Sequence, residues 1–405
     1  MKILLISQVF YPDTVSVSQH LTDLSISLAE KGHDISVFTS KYPYESKNNK
    51  FSTYESYRKI KIFRVNQSGF GKGKTVYRLI DFFTFYISIF FKLLTIKSGQ
   101  FDIIVGTSVP PMLAVVGVFI SKIKNIKFYY WVMDLQPELS ISSGLIKKKS
   151  ILAKVLTFFG NYSIRNSKKI FSLDSYMSKH LIKRGAIKNQ VYTSPPWPVL
   201  NKIFLGSHDD NPFRIKYKFE NKTVIMYSGN HAFVHPLDTI LDAARILRDN
   251  TNFLFVFIGD GVRKSDVKNY KDKYNLKNII QLPFQPRENI HFSLGSSDLQ
   301  VVIMGENQIG FTHPNKIYGG MFIGKPIIYI GPDESHVTDI LQKVDGNILV
   351  NHTESKKLAN NILDFYNLSS VAKKIIGDKN RMFANLNYNP EKLKSEMCNQ
   401  ITVDD

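Results

Sequence analysis

GFTHPNKIYGGMFIGKPIIYIGP, residues 310 to 332, carries a pattern that organises the whole chain. One apolar, strand-like run precedes it (299–304) and a second closes it (326–330), with Gly, Thr, His, Pro and Asn in between. The apolar spacing predicts a short amphipathic helix over about 315–322, stopped by Gly324. Strand, helix, strand in so short a stretch belongs to a parallel α/β sheet. A helix that starts in the crevice between two strands points N–H groups and the positive end of its dipole at whatever lies there. An anion is the obvious occupant. The structural alternative is a turn and cap of the kind any αβ connection needs.

Working outward, the same alternation recurs twice. KILLISQVF (2–10) reads as a strand and 17–31 as a helix ended by Gly32. Further strands are expected at 35–40, 61–65, 101–108, 127–134 and 169–175. In the second half, strands are expected at 223–230, 253–261, 279–283, 299–304 and 325–332. Strands apolar on both faces, with helices between them, indicate parallel sheets covered on both sides. The turn-rich segment SPPWPVLNKIFLGSHDDNP (194–212) separates the two sets. The expectation is an α/β chain of two doubly wound domains, 1–200 and 201–405, with the last helix (about 390–401) packing back on the first.

Composition narrows the function. With 405 residues and 43% hydrophobic content the chain is long enough for two cores and too apolar for wholesale disorder. The single cysteine, Cys398, forms no internal disulfide, and MKILLIS reads as a strand rather than a signal peptide. Residues 1–200 hold 28 Lys and Arg against 11 Asp and Glu; residues 201–405 hold 25 against 23. A net +17 on one half and +2 on the other suits an anionic surface, either a membrane or a nucleic acid. No nucleic-acid module interrupts the first half, which leaves the membrane. Segment 78–97 contains ten uncharged residues from Phe82 to Phe91, bordered by Lys72, Lys74, Arg78, Lys92 and Lys97. It is too short to span a bilayer. An interfacial helix and a buried helix read alike here, and the charge of the same half favours the interface.

Ligands of open α/β sheets bind beyond the carboxyl ends of the strands. In the second half those ends carry Tyr227-Ser228-Gly229-Asn230-His231, Gly259-Asp260-Gly261, Phe284-Gln285-Pro286-Arg287 and His313-Pro314-Asn315-Lys316-Ile317-Tyr318. Four such loops at one edge outweigh any of them alone.

The segments SGN…HPLDTILDAA, FVFIGDG, IIQLPFQPRENI, SSDLQVVIM and HPNKIYGGMFIGKPIIYIGP, in this order, resemble the carboxyl-terminal domain of GT-B glycosyltransferases of family 4. The resemblance is to the enzymes of colanic-acid and O-antigen assembly. FYPDTVSVSQHLTDLSISLAEKGHDISVFTS, FDIIVGTSVPPMLAVVG and YYWVMDLQPEL are similar to the amino-terminal half of that family. The resemblance covers nearly all of residues 1–345. It implies two Rossmann-like domains facing a cleft, and transfer of a sugar with retention of configuration. It also implies a nucleotide-sugar donor, a UDP-sugar, and a lipid-linked saccharide acceptor at the cytoplasmic face of the plasma membrane. No metal or other cofactor is expected.

Carried over residue by residue, the resemblance places the donor at Gly229, Asn230, His231, Asp260, Gly261, Phe284, Gln285, Arg287 and the helix start Pro314 to Tyr318. There the amides of Lys316 and Ile317 and the Lys316 ammonium would face the diphosphate. Ser16, Val17, Ser18 and His20 stand on the acceptor side, Asp134 at the end of the YYWVMD strand, and His313 beside a sugar hydroxyl or phosphate. Asp134 and His313 are the catalytic candidates, with Glu138 weaker. Two glutamates eight residues apart in many relatives fall here on Phe311 and Gly319, and the Arg and Lys that often follow the SGN-like turn are absent. That departure keeps a UDP-sugar 2-epimerase of similar fold, or a non-catalytic membrane-associated subunit, in view as alternatives.

Overall fold

The computed structural model describes residues 1–43, 50–71, 75–200, 203–204 and 208–403. Lys72 and Lys74 lie outside the described residues. The chain forms two compact units. The first comprises residues 1–196 with 310–313 and 391–405, the second residues 197–309 and 314–390.

Among the described residues the first unit holds an eight-stranded sheet. Its strands are β1 (Lys2–Ile6), β2 (Asp34–Ser40), β3 (Tyr54–Tyr57), β4 (Ile60–Val65), β5 (Ile103–Thr107), β6 (Lys127–Trp131), β7 (Lys169–Ser172) and β8 (Val191–Thr193). The order is β3-β4-β2-β1-β5-β6-β7-β8, and only the β3–β4 hairpin is antiparallel. Ile3 to Ile6 of β1 are fully enclosed, because helices cover both faces. Each such side chain stabilises the fold by roughly 1.5–3 kcal/mol. The helices are α1 (Ser16–Glu30), α2 (Thr75–Leu94), α3 (Leu113–Lys124), α4 (Glu138–Ser142), α5 (Ile151–Arg165) and α6 (Ser175–Lys183). Gly32 ends α1 in the left-handed region, at φ +87°.

The second unit is a six-stranded, all-parallel sheet: β9 (Thr223–Ser228), β10 (Phe253–Ile258), β11 (Ile279–Leu282), β12 (Leu299–Ile303), β13 (Ile327–Ile330) and β14 (Ile348–Val350). Their order, β11-β10-β9-β12-β13-β14, turns back at β9. The topological switch between β9 and β12 is where such sheets bind ligands. Around it run α7 (Pro212–Tyr217), α8 (Asp238–Ile246), α9 (Lys264–Lys273), α10 (Ile290–Gly295), α11 (Lys316–Phe322), α12 (His336–Leu341), α13 (Ser355–Asn367) and α14 (Ser370–Asn387). Helix α15 (Pro390–Thr402) lies almost wholly in the first unit. Lys169 fixes it there: its buried ammonium donates to the Gln400 and Val403 carbonyls at 2.9 and 2.8 Å.

Candidate functional site

Three turns at the carboxyl edge of the second sheet interlock. Gly229, Gly259 and Gly261 adopt φ of +128°, +131° and +140°. A Cβ on Gly259 would come within 2.1 Å of the Gly229 carbonyl oxygen, and one on Gly261 within 2.5 Å of Asn230 Oδ1. Only glycine meets both demands, positive φ and close approach. The Gly229 amide donates to Ile258 O at 2.8 Å and the His231 amide to Asp260 O at 2.8 Å, so the two turns share one hydrogen-bonded frame.

Onto this frame leans Lys316, the first residue of α11. A Cβ on Gly229 would lie 2.6 Å from Lys316 Cε. Its ammonium donates to Tyr227 Oη at 2.9 Å and to Asn230 O at 3.4 Å, and stands 4.3 Å above the Tyr227 ring. Tyr227 Oη in turn lies 2.9 Å from both Asn230 O and His235 Nδ1. No carboxylate takes part in these bonds. Burial accordingly pulls the Lys316 ammonium down to about 7. Burial first, then the Lys316 charge, holds His231 down to about 4 and His235 well below its ordinary value. Both imidazoles are therefore neutral near pH 7, and Lys316 is the group of this knot that gains or loses its charge there. An anion beside such a lysine would restore its charge.

The neighbouring wall is acidic at one point and basic beyond it. Asp260 is exposed; its carboxylate accepts the Gly261 amide at 2.7 Å and the Lys264 ammonium at 3.1 Å. Slight burial raises its pKa, but these two donors prevail and hold it low. Arg263 donates from Nε to Phe233 O at 3.1 Å. The sequence reading placed Tyr227 at the end of its strand without a role, and did not single out Arg263 or Lys264. For Arg263 and Lys264 the signal was present, as a basic pair one residue after Gly259-Asp260-Gly261.

Several expectations need correction. The Ile317 amide does not face a ligand; it donates to Pro314 O at 3.3 Å, and the Tyr318 amide to Asn315 O at 3.3 Å, in a tight first turn. The Ile317 and Tyr318 side chains are core, Tyr318 lying 4.7 Å from the Tyr388 ring. Pro314 is buried and Asn315 half-buried. His231 is only 1% exposed, packed beside Tyr227 and Phe257, and stands behind the turn rather than on its open side. Phe284 is exposed, while Gln285 donates to its own Pro283 carbonyl at 2.8 Å and Arg287 opens a single 3₁₀ turn.

Residues 209–381 match the family model for glycosyl transferases group 1. Residues 209–381 are a group 1 glycosyltransferase domain. Over 334 residues the chain is 22% identical to the colanic acid biosynthesis glycosyl transferase WcaI of Escherichia coli (strain K12), covering 80% of this chain and 82% of that one. Among solved structures, WaaG, a glycosyltransferase of lipopolysaccharide biosynthesis, superposes with a TM-score of 0.75 at 12% identity over 99% of this chain and 100% of its own. Alr3699/HepE of Anabaena, solved with UDP-glucose, superposes at 0.70 with 14% identity, over 99% of each chain. The fold of this glycosyltransferase is GT-B.

In the first unit of the glycosyltransferase, His313 is 7% exposed and its Nδ1 lies 2.8 Å from Asp174 Oδ2. The other oxygen of Asp174 caps α6 by accepting the Met177 amide at 2.7 Å. His313 thus belongs with α6, not with the Lys316 knot. Asp134 lies three residues beyond the end of β6. Its carboxylate accepts the Thr312 hydroxyl at 2.9 Å. Burial raises its pKa, and the Thr312 bond and Arg78 oppose the rise. Glu138 is held by Arg184 at 2.9 Å. On the acceptor side, Ser16 and Val17 lie in the first turn of α1. Ser18 is buried and donates to Asp13 O at 2.9 Å; His20 is buried with Nδ1 2.8 Å from Ser16 O. Ser18 and His20 therefore turn inward, on the buried side of α1.

Proposed function

We propose that this glycosyltransferase is a retaining enzyme that moves a sugar from a UDP-linked donor to a lipid-linked glycan acceptor in cell-surface polysaccharide assembly. The Lys316 ammonium on the Gly229–Asn230 turn carries the reading. Donor diphosphate placed there would gain a charged hydrogen bond and the amides of a glycine turn, and leaving-group charge would meet a fixed cation. The WcaI description, colanic acid biosynthesis, and the UDP-glucose of the Anabaena structure support the polysaccharide and UDP assignments. Retention and independence of a metal rest on the family resemblance.

The acceptor side is assigned to an anionic membrane surface at the cytoplasmic face. Helix α2 exposes Val76, Leu79, Phe83, Ile87 and Phe91 along one stripe, Phe83 and Phe91 at 64% and 62%. Helix α3 touches both α2 and α5, and α5 exposes Ile151, Leu152, Val155 and Phe158. Residues 75–170 carry 13 Lys and Arg against 4 Asp and Glu, so this apolar face sits in a basic field. No helix among the described residues is long and apolar enough to cross a membrane. The test is a thermal-shift screen of the full chain against nucleotides and nucleotide sugars: UDP-sugars should raise the melting temperature, and purine-nucleotide sugars should not. Equal shifts from both classes would overturn the UDP assignment.

A further inference from the structure

The hydroxyl of Tyr227 sits at the centre of the Lys316 knot, and its single hydrogen fixes every bond around it. A phenol has one hydrogen to give and two lone pairs to receive. Asn230 O, at 2.9 Å, can only accept, and the Lys316 ammonium, also at 2.9 Å, can only donate. The hydrogen therefore goes to Asn230 O. His235 Nδ1, at 2.9 Å, must then be the N–H end of its neutral ring, and it fills the second lone pair. One donation and two acceptances leave the hydroxyl no open position. The Tyr227 ring behind it is 1% exposed, packed in the core of the second unit. Turning the O–H away would strand buried polar groups, so its orientation is set.

The consequence falls on Lys316. An ammonium carries three N–H groups. One goes to Tyr227 Oη and one to Asn230 O at 3.4 Å; among the described residues the third has no partner. The lysine stem lies across Gly229, where a Cβ would come 2.6 Å from Lys316 Cε. With the stem and two N–H groups held, tetrahedral geometry sets the direction of the third. A neutral amine in the same place would present a lone pair there and repel an anion. Burial favours that neutral form, whereas the Tyr227 oxygen, by accepting from the ammonium, favours the charged one.

The other ionisable groups around the knot are His231, on the turn after β9, and Asp260, Arg263 and Lys264, on the loop after β10 and at the start of α9. None of these four hydrogen-bonds to the Lys316 ammonium or the Tyr227 hydroxyl among the described residues. A change at Tyr227 therefore leaves their charges in place and reports on the hydroxyl itself.

We infer that Tyr227 is a positioning residue of the donor site: its hydroxyl, locked in turn by His235, holds the Lys316 ammonium so that one N–H is left for the diphosphate of a sugar nucleotide. The inference rests on the donor reading proposed above and deepens it.

Calorimetric titration of the full chain with UDP-glucose is the experiment, over about pH 5.5–8.5, where its diphosphate diester keeps the same charge. Tyr227→Phe retains the core ring and removes only the oxygen. At the low end of that range it should bind about tenfold more weakly than the wild type. The pH at which affinity starts to fall, about 7 in the wild type, should move lower, because the charged form has lost an acceptor. In a Lys316→Met background the same substitution should change affinity less than about twofold. His235→Leu should reproduce part of the loss, while His235→Asn, whose amide can place an N–H where Nδ1 stands, should bind as the wild type does. A merely structural role for Tyr227 would weaken binding without moving the pH onset, and its effect would add in full to that of Lys316→Met. Either result overturns the proposal, as does wild-type affinity in Tyr227→Phe while the wild type binds UDP-glucose. A wild-type chain that does not bind UDP-glucose at any pH overturns the donor reading, and this assignment with it.

Discussion

Lys316 is the residue on which donor binding should turn. Lys316→Ala is expected to weaken UDP-glucose by about 1–3 kcal/mol, the range for a hydrogen bond to a charged group; titration calorimetry measures it. Because the unliganded ammonium titrates near 7, anion binding above that pH takes up a proton. Affinity should therefore fall about tenfold per pH unit above about 7 and level off below it. Lys316→Met should abolish the slope. The sign for stability is opposite. Between about 7 and 10.5 the unfolded chain holds the proton and the folded one does not, so native stability rises with pH across that window. The glycines separate packing from binding. In Gly259→Ala the new methyl meets backbone and positive φ, which should cost at least about 1–3 kcal/mol of stability in a denaturant titration. In Gly229→Ala it meets the flexible end of Lys316, so the loss should fall more on UDP affinity. With the counter-charge supplied by Lys316, turnover should survive EDTA; complete loss, restored by a divalent cation, would refute metal independence.

At the scale of elements, the apolar helix α2 shows how sequence leaves a face undecided. Its ten-residue run contains both core and surface: Phe85 and Ile89 are fully buried, while Phe83 and Phe91 are exposed. Phe90 is half-buried, its ring centroid 6.1 Å from that of Phe119, and Lys92 lies over the Phe38 and Phe63 rings rather than on the rim. The residues that test membrane contact are thus Phe83, Phe91 and, on α5, Phe158. Replacing the three by Ser in the full chain should release the protein from anionic vesicles at high salt, where lysine attraction is screened and apolar contact is not. UDP binding should be unchanged. Vesicle cosedimentation of the variant equal to that of the wild type would remove this face from the membrane.

For the molecule as a whole, the two ends of the chain are tied within the first unit. Lys31 donates to Ser395 Oγ and Asn399 Oδ1 at 3.0 and 2.8 Å, while buried Lys169 holds the last carbonyls of α15. Lys169→Met removes two charged hydrogen bonds and should lower stability by about 2–4 kcal/mol, read as a lower melting temperature. Truncation before residue 391 should do more, and residues 1–200 alone lack this helix. Much of this architecture was legible in the sequence. Parallel strands buried on both faces need long apolar runs, and loops at their carboxyl ends need Gly, Asn and Pro, so KILLI, FLFVFI and the Gly259–Gly261 turn announce themselves. The short strands β3, β8 and β14 did not, since a strand at the edge of its sheet is paired on one side only and needs no long apolar run. Periodicity names the face of a helix but not its neighbour, and a motif names a residue but not which way it turns. Hence Lys316 was foreseen, whereas its Tyr227–His235 cradle, the inward turn of Ser18, His20 and His231, and the pairing of His313 with Asp174 were decided only by tertiary packing. Those contacts join residues up to 139 positions apart, and nothing local in the chain encodes them.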